Sequence, residues 1–182
     1  NSAGLSIASS TRMDDSGSNS FNNGISVSSS GQVYLAAACL IGNCGNTTGN
    51  FARITDAGSY WGMGGQVLTV GGPTSTNNYL TVDQGGTVDY IGNLIVFSNN
   101  QVNLWGGTLG AVNINVTNGA VFAGGDGIQT TAVLKARGGT LYFDAGLRVN
   151  TNATLTGRGT IQATTTVYGT LSPGLTIGVM TN

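Results

Sequence analysis

The side-chain carboxylates of this chain that could do acid–base chemistry are seven aspartates, because the sequence contains no glutamate, and histidine is also absent. Without histidine, a Ser-His-Asp or Cys-His nucleophile arrangement is excluded. A polysaccharide lyase or hydrolase would need clustered carboxylates together with a lysine or arginine. The aspartates are Asp14, Asp15, Asp56, Asp83, Asp89, Asp126 and Asp144.

Asp56 and Asp83 are the most promising carboxylate pair, because their separation matches a sequence repeat that is described below. Stacked on adjacent coils of a repeating fold, two carboxylates could hold a cation. The alternative is that both are solvated corner residues. No third acid or base falls in register with them, so we do not expect catalysis from this pair.

Two further features suggest possible chemistry, and each has a simpler interpretation. Cys39 and Cys44 could form a local disulfide in an exported protein, or they could be a buried apolar side chain and a thiol in a turn. Zinc is not expected from two cysteines without histidine. The segment Gly124–Gly127 is similar to part of a calcium-binding repeat, but it occurs once and is typical of a tight turn. We therefore expect no metal and no cofactor.

Large aromatic residues are concentrated in the middle of the chain. They could form a flat row that binds sugar rings, or they could stack inside a repeating fold. These residues are Tyr60, Trp61, Tyr79, Tyr90, Phe97 and Trp105.

A pattern of four anchor residues recurs along the chain and decides the fold class. Two apolar residues with one residue between them share a face of a strand, a glycine permits a corner, and a further residue starts the next strand. The recurring sets are Ile25, Val27, Gly31 and Val33; Ala52, Ile54, Gly58 and Tyr60; and Leu80, Val82, Gly86 and Val88. The spacing predicts one interior column of Val27, Ile54 and Val82, and a second of Val33, Tyr60 and Val88.

Later segments repeat this pattern less regularly. A third strand is predicted at 40–41, 68–70 and 94–96, and asparagine begins several coils. Asparagine tolerates left-handed turn geometry, and stacked asparagines can form a ladder of hydrogen bonds. The later anchors are Ile114, Val116, Gly119 and Val121, then Leu147, Val149, Ala153 and Leu155; the asparagines are Asn22, Asn50, Asn77 and Asn100.

Together these patterns predict an all-β parallel β-solenoid of about seven coils. We expect a single domain over residues 1–182, in which residues 1–20 are a first irregular coil or an entry segment. Equivalent strands recur one coil apart, which favours parallel pairing over the short hairpins of a β-sandwich. The chain begins at Asn1 without the pattern of a signal peptide, so we expect a mature product or a fragment.

Composition narrows the classes of function. Only 7% of residues are charged, and the net charge is −1, which offers no basic surface for nucleic acid. No apolar run approaches the roughly 20 residues that cross a bilayer. The surface must therefore be covered largely by Ser, Thr, Asn, Gln and Gly, which suits stacked β-structure.

Two segments near the C-terminus carry a family resemblance. The tail from Tyr168 to Gly178 resembles the Gly-x-Leu-x-Pro-Gly-x-x-Ile-Gly segment of autotransporter-type passenger domains, which are exported bacterial β-solenoids. The stretch from Ala153 to Ile161 resembles the step that usually precedes it. The resemblance implies a right-handed parallel β-helix located outside the cell or on its outer surface.

We therefore expect a non-enzymatic, extracellular structural or adhesive β-solenoid, with a polysaccharide or cell-surface molecule as a possible ligand. Uncapped solenoid ends and a net charge near zero also favour end-to-end stacking of copies into a fibre or surface layer. The alternatives are a carbohydrate-active β-helix enzyme and a stalk fragment of a larger autotransporter-like protein.

Overall fold

The computed structural model describes residues 4–7, 9, 11–13, 20–126 and 131–174. Asp14, Asp15, Gly127 and the tail beyond Gly174 lie outside this part. The strands are β1 Gly4–Ile7, β2 Thr11–Met13, β3 Gly24–Val27, β4 Gln32–Leu35, β5 Cys39–Ile41, β6 Phe51–Ile54, β7 Tyr60–Gly62, β8 Val67–Val70, β9 Tyr79–Val82, β10 Thr87–Val96, β11 Gln101–Leu104, β12 Thr108–Val116, β13 Val121–Gly124, β14 Ala132–Phe143, β15 Leu147–Val149, β16 Ala153–Gln162, β17 Thr165–Val167 and β18 Thr170–Pro173.

The strands stack in parallel on three faces of a β-solenoid. The first face consists of β3, β6, β9, β11, β13, β15 and β17. The second contains β1, β4, β7, the first halves of β10, β12, β14 and β16, and then β18; the third contains β2, β5, β8 and the second halves of the long strands. The predicted all-β parallel solenoid is confirmed, but it has about six coils and not seven, because seven strands on the first face bound six circuits. Among the described residues, none forms a helix with the length and apolar character that a bilayer crossing requires.

The core lies along the solenoid axis and is built from alternate residues of each strand. The predicted column of Val27, Ile54 and Val82 is confirmed, since these residues pair in register and all three are buried. Ile25, Ala52 and Leu80 form the adjacent register column. The three segments predicted as third strands are also confirmed, with β5, β8 and the end of β10 paired in succession.

The second predicted column is wrong at Tyr60. Trp61 is the residue that pairs with both Val33 and Val88, and it is buried, whereas Tyr60 pairs with Gln32 and Thr87 on the outside. The corner before β7 is one residue longer than the corresponding corners of the neighbouring coils, so the next strand is displaced by one position. For the same reason Ser59, not Gly58, is level with Gly31 and Gly86.

The prediction from the sequence repeat is wrong for one of the later anchor sets, which lies on a different face. Ile114 and Val116 pair with Leu94 and Val96, so they belong to the third face and not to the first. Gly119 follows in a turn with φ of 79°, and Val121 begins β13, where it pairs with Gln101.

The last anchor set lies where the repeat places it. Val149 pairs with Gly124 on the first face, Leu155 pairs with Leu134 on the second, and Ala153 pairs with Ala132 at the start of that strand. The irregularity between the two sets arises because coil length varies along the chain. Successive rungs of the asparagine ladder are separated by 27, 28 and 22 residues.

An asparagine ladder does run from coil to coil, but two of its members differ from the prediction. The backbone N–H groups of Asn23, Asn50 and Asn78 donate to the side-chain oxygen of the asparagine on the next coil, at 3.0, 2.9 and 3.0 Å. Asn22 and Asn77, which were predicted to be rungs, precede the true rungs and take left-handed φ values of 58° and 56°. In the pairs Asn22–Asn23 and Asn77–Asn78, the first residue thus adopts the turn conformation and the second bonds to the next coil.

We expect the Asn78→Ala substitution to lower the free energy of unfolding by about 2 kcal/mol, because it removes the side-chain oxygen that accepts from the buried backbone N–H of Asn50. Asn78 is buried, and its side-chain amide also donates to Asn100 at 2.8 Å. Asn77→Gly is the matched control, since Asn77 is exposed and glycine accepts its positive φ. Urea denaturation measures both. Equal losses in the two variants would contradict a role for the ladder.

The two cysteines lie in different environments. Cys39 is buried in β5, where it pairs with Leu68, and Cys44 is half-buried in the following loop. Nη2 of Arg12 donates to Sγ of Cys44 at 2.6 Å. The disulfide between Cys39 and Cys44 stays a prediction.

Candidate functional site

A groove with a volume of about 540 Å³ opens on the outer surface of the first face. Strands β6, β9 and β11 supply it with the side chains that alternate outward from the core. Its lining residues are Phe51, Arg53, Tyr79, Thr81, Asp83, Gln101, Asn103 and Trp105.

One wall of the groove is an aromatic stack. Phe51 and Tyr79 occupy the same position of neighbouring coils, so parallel in-register pairing places one ring over the other. Their centroids are 5.5 Å apart and their planes differ by 12°. Gly24 precedes them in the column and Gln101 follows, and a Cβ at Gly24 would overlap the ring of Phe51. The wall is therefore flat, and the side-chain amide of Gln101 extends it on the next coil.

The floor of the groove is polar. Thr81 and Asn103 point outward, yet they are only 5% and 6% exposed. The larger side chains on either side screen them from solvent. Nδ2 of Asn103 donates to Oγ1 of Thr81 at 3.4 Å, a long contact that leaves both groups able to bond elsewhere.

An ion pair closes one side of the groove. Nη2 of Arg53 donates to Oδ2 of Asp83 at 2.8 Å, and the two side chains are 46% and 3% exposed. Oδ1 of Asp83 is buried and has no hydrogen-bond partner within the described ranges. A buried carboxylate oxygen without a partner is costly, so the ion pair with Arg53 offsets only part of the cost of burying Asp83.

No family model, no curated protein and no solved structure matches this chain. The resemblance to autotransporter-type passengers thus stays a prediction, and it rests on the residues that carry it.

The carboxylate pair predicted from the repeat does not form. Asp83 directly follows Val82, as Thr55 follows Ile54, so Asp83 is level with Thr55 and not with Asp56. Oδ2 of Asp56 accepts a hydrogen bond from the backbone N–H of Ser29 at 3.2 Å, on the preceding coil. The same one-residue lengthening of the corner that displaced Tyr60 separates the two acids.

The remaining described acids are dispersed along the solenoid. Asp89 binds Arg137, Asp126 accepts from Nδ2 of Asn152 at 3.0 Å, and Asp144 accepts from the hydroxyl of Tyr142 at 2.5 Å. This last hydrogen bond is the main cause that raises the pKa of Tyr142. Within the described part of the chain, no group of three or more Cys or Asp side chains is placed to hold a metal ion.

The aromatic residues singled out from the sequence divide between the two possibilities. Trp61 is in the core, Tyr79 and Trp105 line the groove, Tyr60 lies on the outside of the second face, and Tyr90 is exposed at the corner that follows that face. Phe97 is half-buried just after β10.

Phe51 and Arg53 line the groove but were not predicted from the sequence as site residues. A signal for Phe51 was available, because it stands directly before the anchor Ala52, as Tyr79 stands directly before Leu80. A signal for Arg53 was weaker, since its partner Asp83 lies beyond the end of the neighbouring strand.

Proposed function

We propose that this protein is a non-enzymatic adhesive β-solenoid of the cell exterior, and that it binds polysaccharide in the groove of the first face. The observation that carries the proposal is the flat stack of Phe51 on Tyr79 beside a screened polar floor. Low charge and a surface of small polar residues agree with an exported solenoid.

The two parts of the groove match the two parts of a sugar ring. A pyranose presents apolar C–H groups on its faces and hydroxyl groups around its rim. Aromatic rings supply a flat apolar surface, and planar amides, guanidinium and carboxylate groups supply directional hydrogen bonds. Phe51 and Tyr79 provide the surface, while Gln101, Asn103 and the exposed guanidinium of Arg53 provide the bonds.

The groove is also rigid, which favours binding. Its side chains project from three strands that pair in register. The ion pair fixes Asp83, and the ring stack fixes Phe51 and Tyr79. A site that is ordered before the ligand arrives loses less conformational entropy on binding.

The alternative of a carbohydrate-active enzyme makes a different demand on the groove. Glycoside hydrolysis ordinarily uses two carboxyl groups on either side of the scissile bond. Asp83 is the one acid among the groove's lining residues, and Arg53 engages it. Binding uses the groove as it stands, whereas hydrolysis requires a second acid from elsewhere.

End-to-end stacking of copies belongs to the same proposal, as the means by which a short solenoid would build a fibre or surface layer. A net charge of −1 opposes self-association only weakly. The segments 1–3, 14–19 and 175–182 lie outside the described residues, so stacking remains a prediction from the sequence.

We expect Trp105→Ala and Tyr79→Ala each to weaken binding of neutral hexasaccharides at the groove at least tenfold, because each removes ring surface that the sugar covers. Tyr142→Ala is the control, an outward-facing tyrosine on the third face. Isothermal titration calorimetry with β-1,4-linked glucose, mannose and N-acetylglucosamine hexamers measures affinity, and circular dichroism checks the fold. Unchanged affinity in both groove variants would overturn the proposal. Release of reducing ends, with or without Ca²⁺, would favour the enzyme.

A further inference from the structure

Tyr90 has a backbone conformation that a bulky residue rarely adopts. Its φ is 58°, in the left-handed region, and its side chain is 55% exposed. The other non-glycine residues with positive φ in the described part are small or polar turn residues: Asn22, Ser29, Ser30, Asn46, Asp56, Asn77, Gln84 and Asn99. A strained residue that persists on a surface suggests a function for its side chain.

The fold itself does not require a tyrosine at this corner. The register of β10 against β12 shifts between Val88 and Ile91, so Tyr90 is part of a β-bulge where the chain passes from the second face to the third. The preceding coil crosses the same corner with Gly64 and Gly65, whose φ values are 57° and 80°. Glycine adopts this conformation without strain, so it would satisfy the corner better than tyrosine does.

Neighbouring residues hold the Tyr90 ring in place. The backbone N–H of Tyr90 donates to Oδ1 of Asp89 at 2.8 Å, and Nε of Arg137 donates to the same oxygen at 2.8 Å. A second bond joins Nη2 of Arg137 to Oδ2 of Asp89, and the guanidinium carbon lies 4.5 Å from the centroid of the Tyr90 ring. Gly110 makes this possible, because a Cβ there would overlap the Asp89 carboxylate.

Two more tyrosines lie on the outside of the second face, and Tyr60 is close enough to this corner for the charges of Asp89 and Arg137 to act on it. The rings of Tyr34 and Tyr60 are 5.6 Å apart and inclined by 47°, and the hydroxyl of Tyr34 donates to Oε1 of Gln32 at 2.7 Å. They border a groove of about 350 Å³, whose other lining residues are Gln32, Gly58, Ser59 and Thr87. Burial raises the pKa of Tyr60, and the charge of Asp89 raises it further, so its hydroxyl stays protonated and can donate.

We propose that Tyr34, Tyr60 and Tyr90, which we call the tyrosine site, bind a second segment of neutral polysaccharide. This inference rests on the proposed function of the first face. Arg137 and Asp89 neutralise each other, so the site offers no unbalanced charge to an acidic ligand. Phenol rings with hydroxyl rims, together with Gln32 and Thr87, repeat the combination of apolar surface and hydrogen-bonding groups found in the first groove.

The two sites lie on adjacent faces of the same coils. The chain runs from Phe51 and Arg53 in the groove, through one corner, to Tyr60 in the tyrosine site. One molecule would therefore hold two polysaccharide segments at once and cross-link them. Two linked binding events also raise the overall avidity for a polymer without any new contact.

The decisive variant is Tyr90→Gly, which removes the ring and relieves the backbone strain together. We expect its melting temperature to stay the same or rise, and the calorimetric stoichiometry for neutral hexasaccharides to fall from two sites to one. Asn99→Gly is the matched control, because Asn99 is exposed with a φ of 59° and lies outside both sites. It should retain two sites. Tyr34→Ala should also lose one site, and it tests the inference independently of the bulge.

The outcomes separate this inference from the proposal for the first face. Weaker binding at one site in Trp105→Ala and loss of the other site in Tyr90→Gly support both. If Tyr90→Gly loses a site while Trp105→Ala and Tyr79→Ala keep the wild-type affinity at both sites, the groove proposal fails and the tyrosine site stands. Two sites retained in both Tyr90→Gly and Tyr34→Ala would overturn the inference. The inference would also be overturned if Tyr34 and Tyr90 bound a proline-rich peptide and not the hexasaccharides. A lower melting temperature of Tyr90→Gly together with unchanged binding in Tyr34→Ala would overturn it as well.

Discussion

The Ile54→Asp variant is expected to lose the solenoid fold. Ile54 is completely buried and pairs in register with Val27 on one coil and Val82 on the next. An aspartate there would place an unpaired charge in an apolar column, at a cost of several kcal/mol. Whole domains have a stability of about 5–15 kcal/mol, and in a solenoid each coil is stabilised by its neighbours. The damage would therefore spread along the stack.

The matched control is Ser26→Asp. Ser26 precedes Val27 in β3 and is exposed, so the same charge would face solvent. Far-ultraviolet circular dichroism and urea denaturation distinguish the two variants. We expect a cooperative transition close to that of the wild type for Ser26→Asp, and none for Ile54→Asp. A folded Ile54→Asp protein with unchanged stability would contradict the register of the first face.

The sequence was sufficient to predict the first face, because its anchors repeat at nearly constant spacing over the early coils. Val27, Ile54 and Val82 were placed correctly for that reason. The asparagine rungs at Asn50 and Asn100 were also placed correctly, and the neighbouring rungs were misplaced by one residue. The spacing of the hydrophobic residues was thus sufficient to predict the strand faces of the early coils.

Corner length was the quantity that the sequence did not reveal. Alternation along a strand has a period of two, so one extra corner residue exchanges the inside and the outside of the next strand. Trp61 and Tyr60 were exchanged in this way. Both residues are aromatic, so composition gave no indication of which one was buried. Coil length also varies after the early coils, so Ile114 lies on the third face and not on the predicted first face.

The candidate site was predictable only in part. Stacking of Phe51 on Tyr79 follows from equal positions in the repeat. The pairing of Arg53 with Asp83 depends on the direction of a long side chain near a strand end, which spacing does not specify. The contact of Arg137 with Asp89 crosses a whole intervening coil at Gly110, and no local pattern indicates such a contact.

The second large loss of stability is expected for the variant Arg137→Met, which removes the contact between Arg137 and Asp89. The side chains of Arg137 and Asp89 are 31% and 10% exposed, so the carboxylate is the more deeply buried partner. Its hydrogen bond to Arg137 is the main cause that raises the pKa of the arginine. Removing the arginine leaves a buried charge whose remaining hydrogen bond is to the backbone N–H of Tyr90. We expect the free energy of unfolding to fall by about 3 kcal/mol.

The asymmetry in burial predicts how the double variant behaves. In Asp89→Asn, Arg137 keeps its contact with solvent and with the ring of Tyr90, so the loss should be about 1 kcal/mol. Asp89→Asn combined with Arg137→Met should be more stable than Arg137→Met alone, because no buried charge is left. Arg148→Met is the control, since Arg148 also lies over a tyrosine, 4.7 Å from the centroid of the Tyr168 ring, but it bonds to the neutral Asn150. Urea denaturation of all four variants measures the coupling. If the two single losses of unfolding free energy simply add in the double variant, the ion pair does not stabilise the bulge. The left-handed backbone of Tyr90 would then not depend on the contact between Arg137 and Asp89.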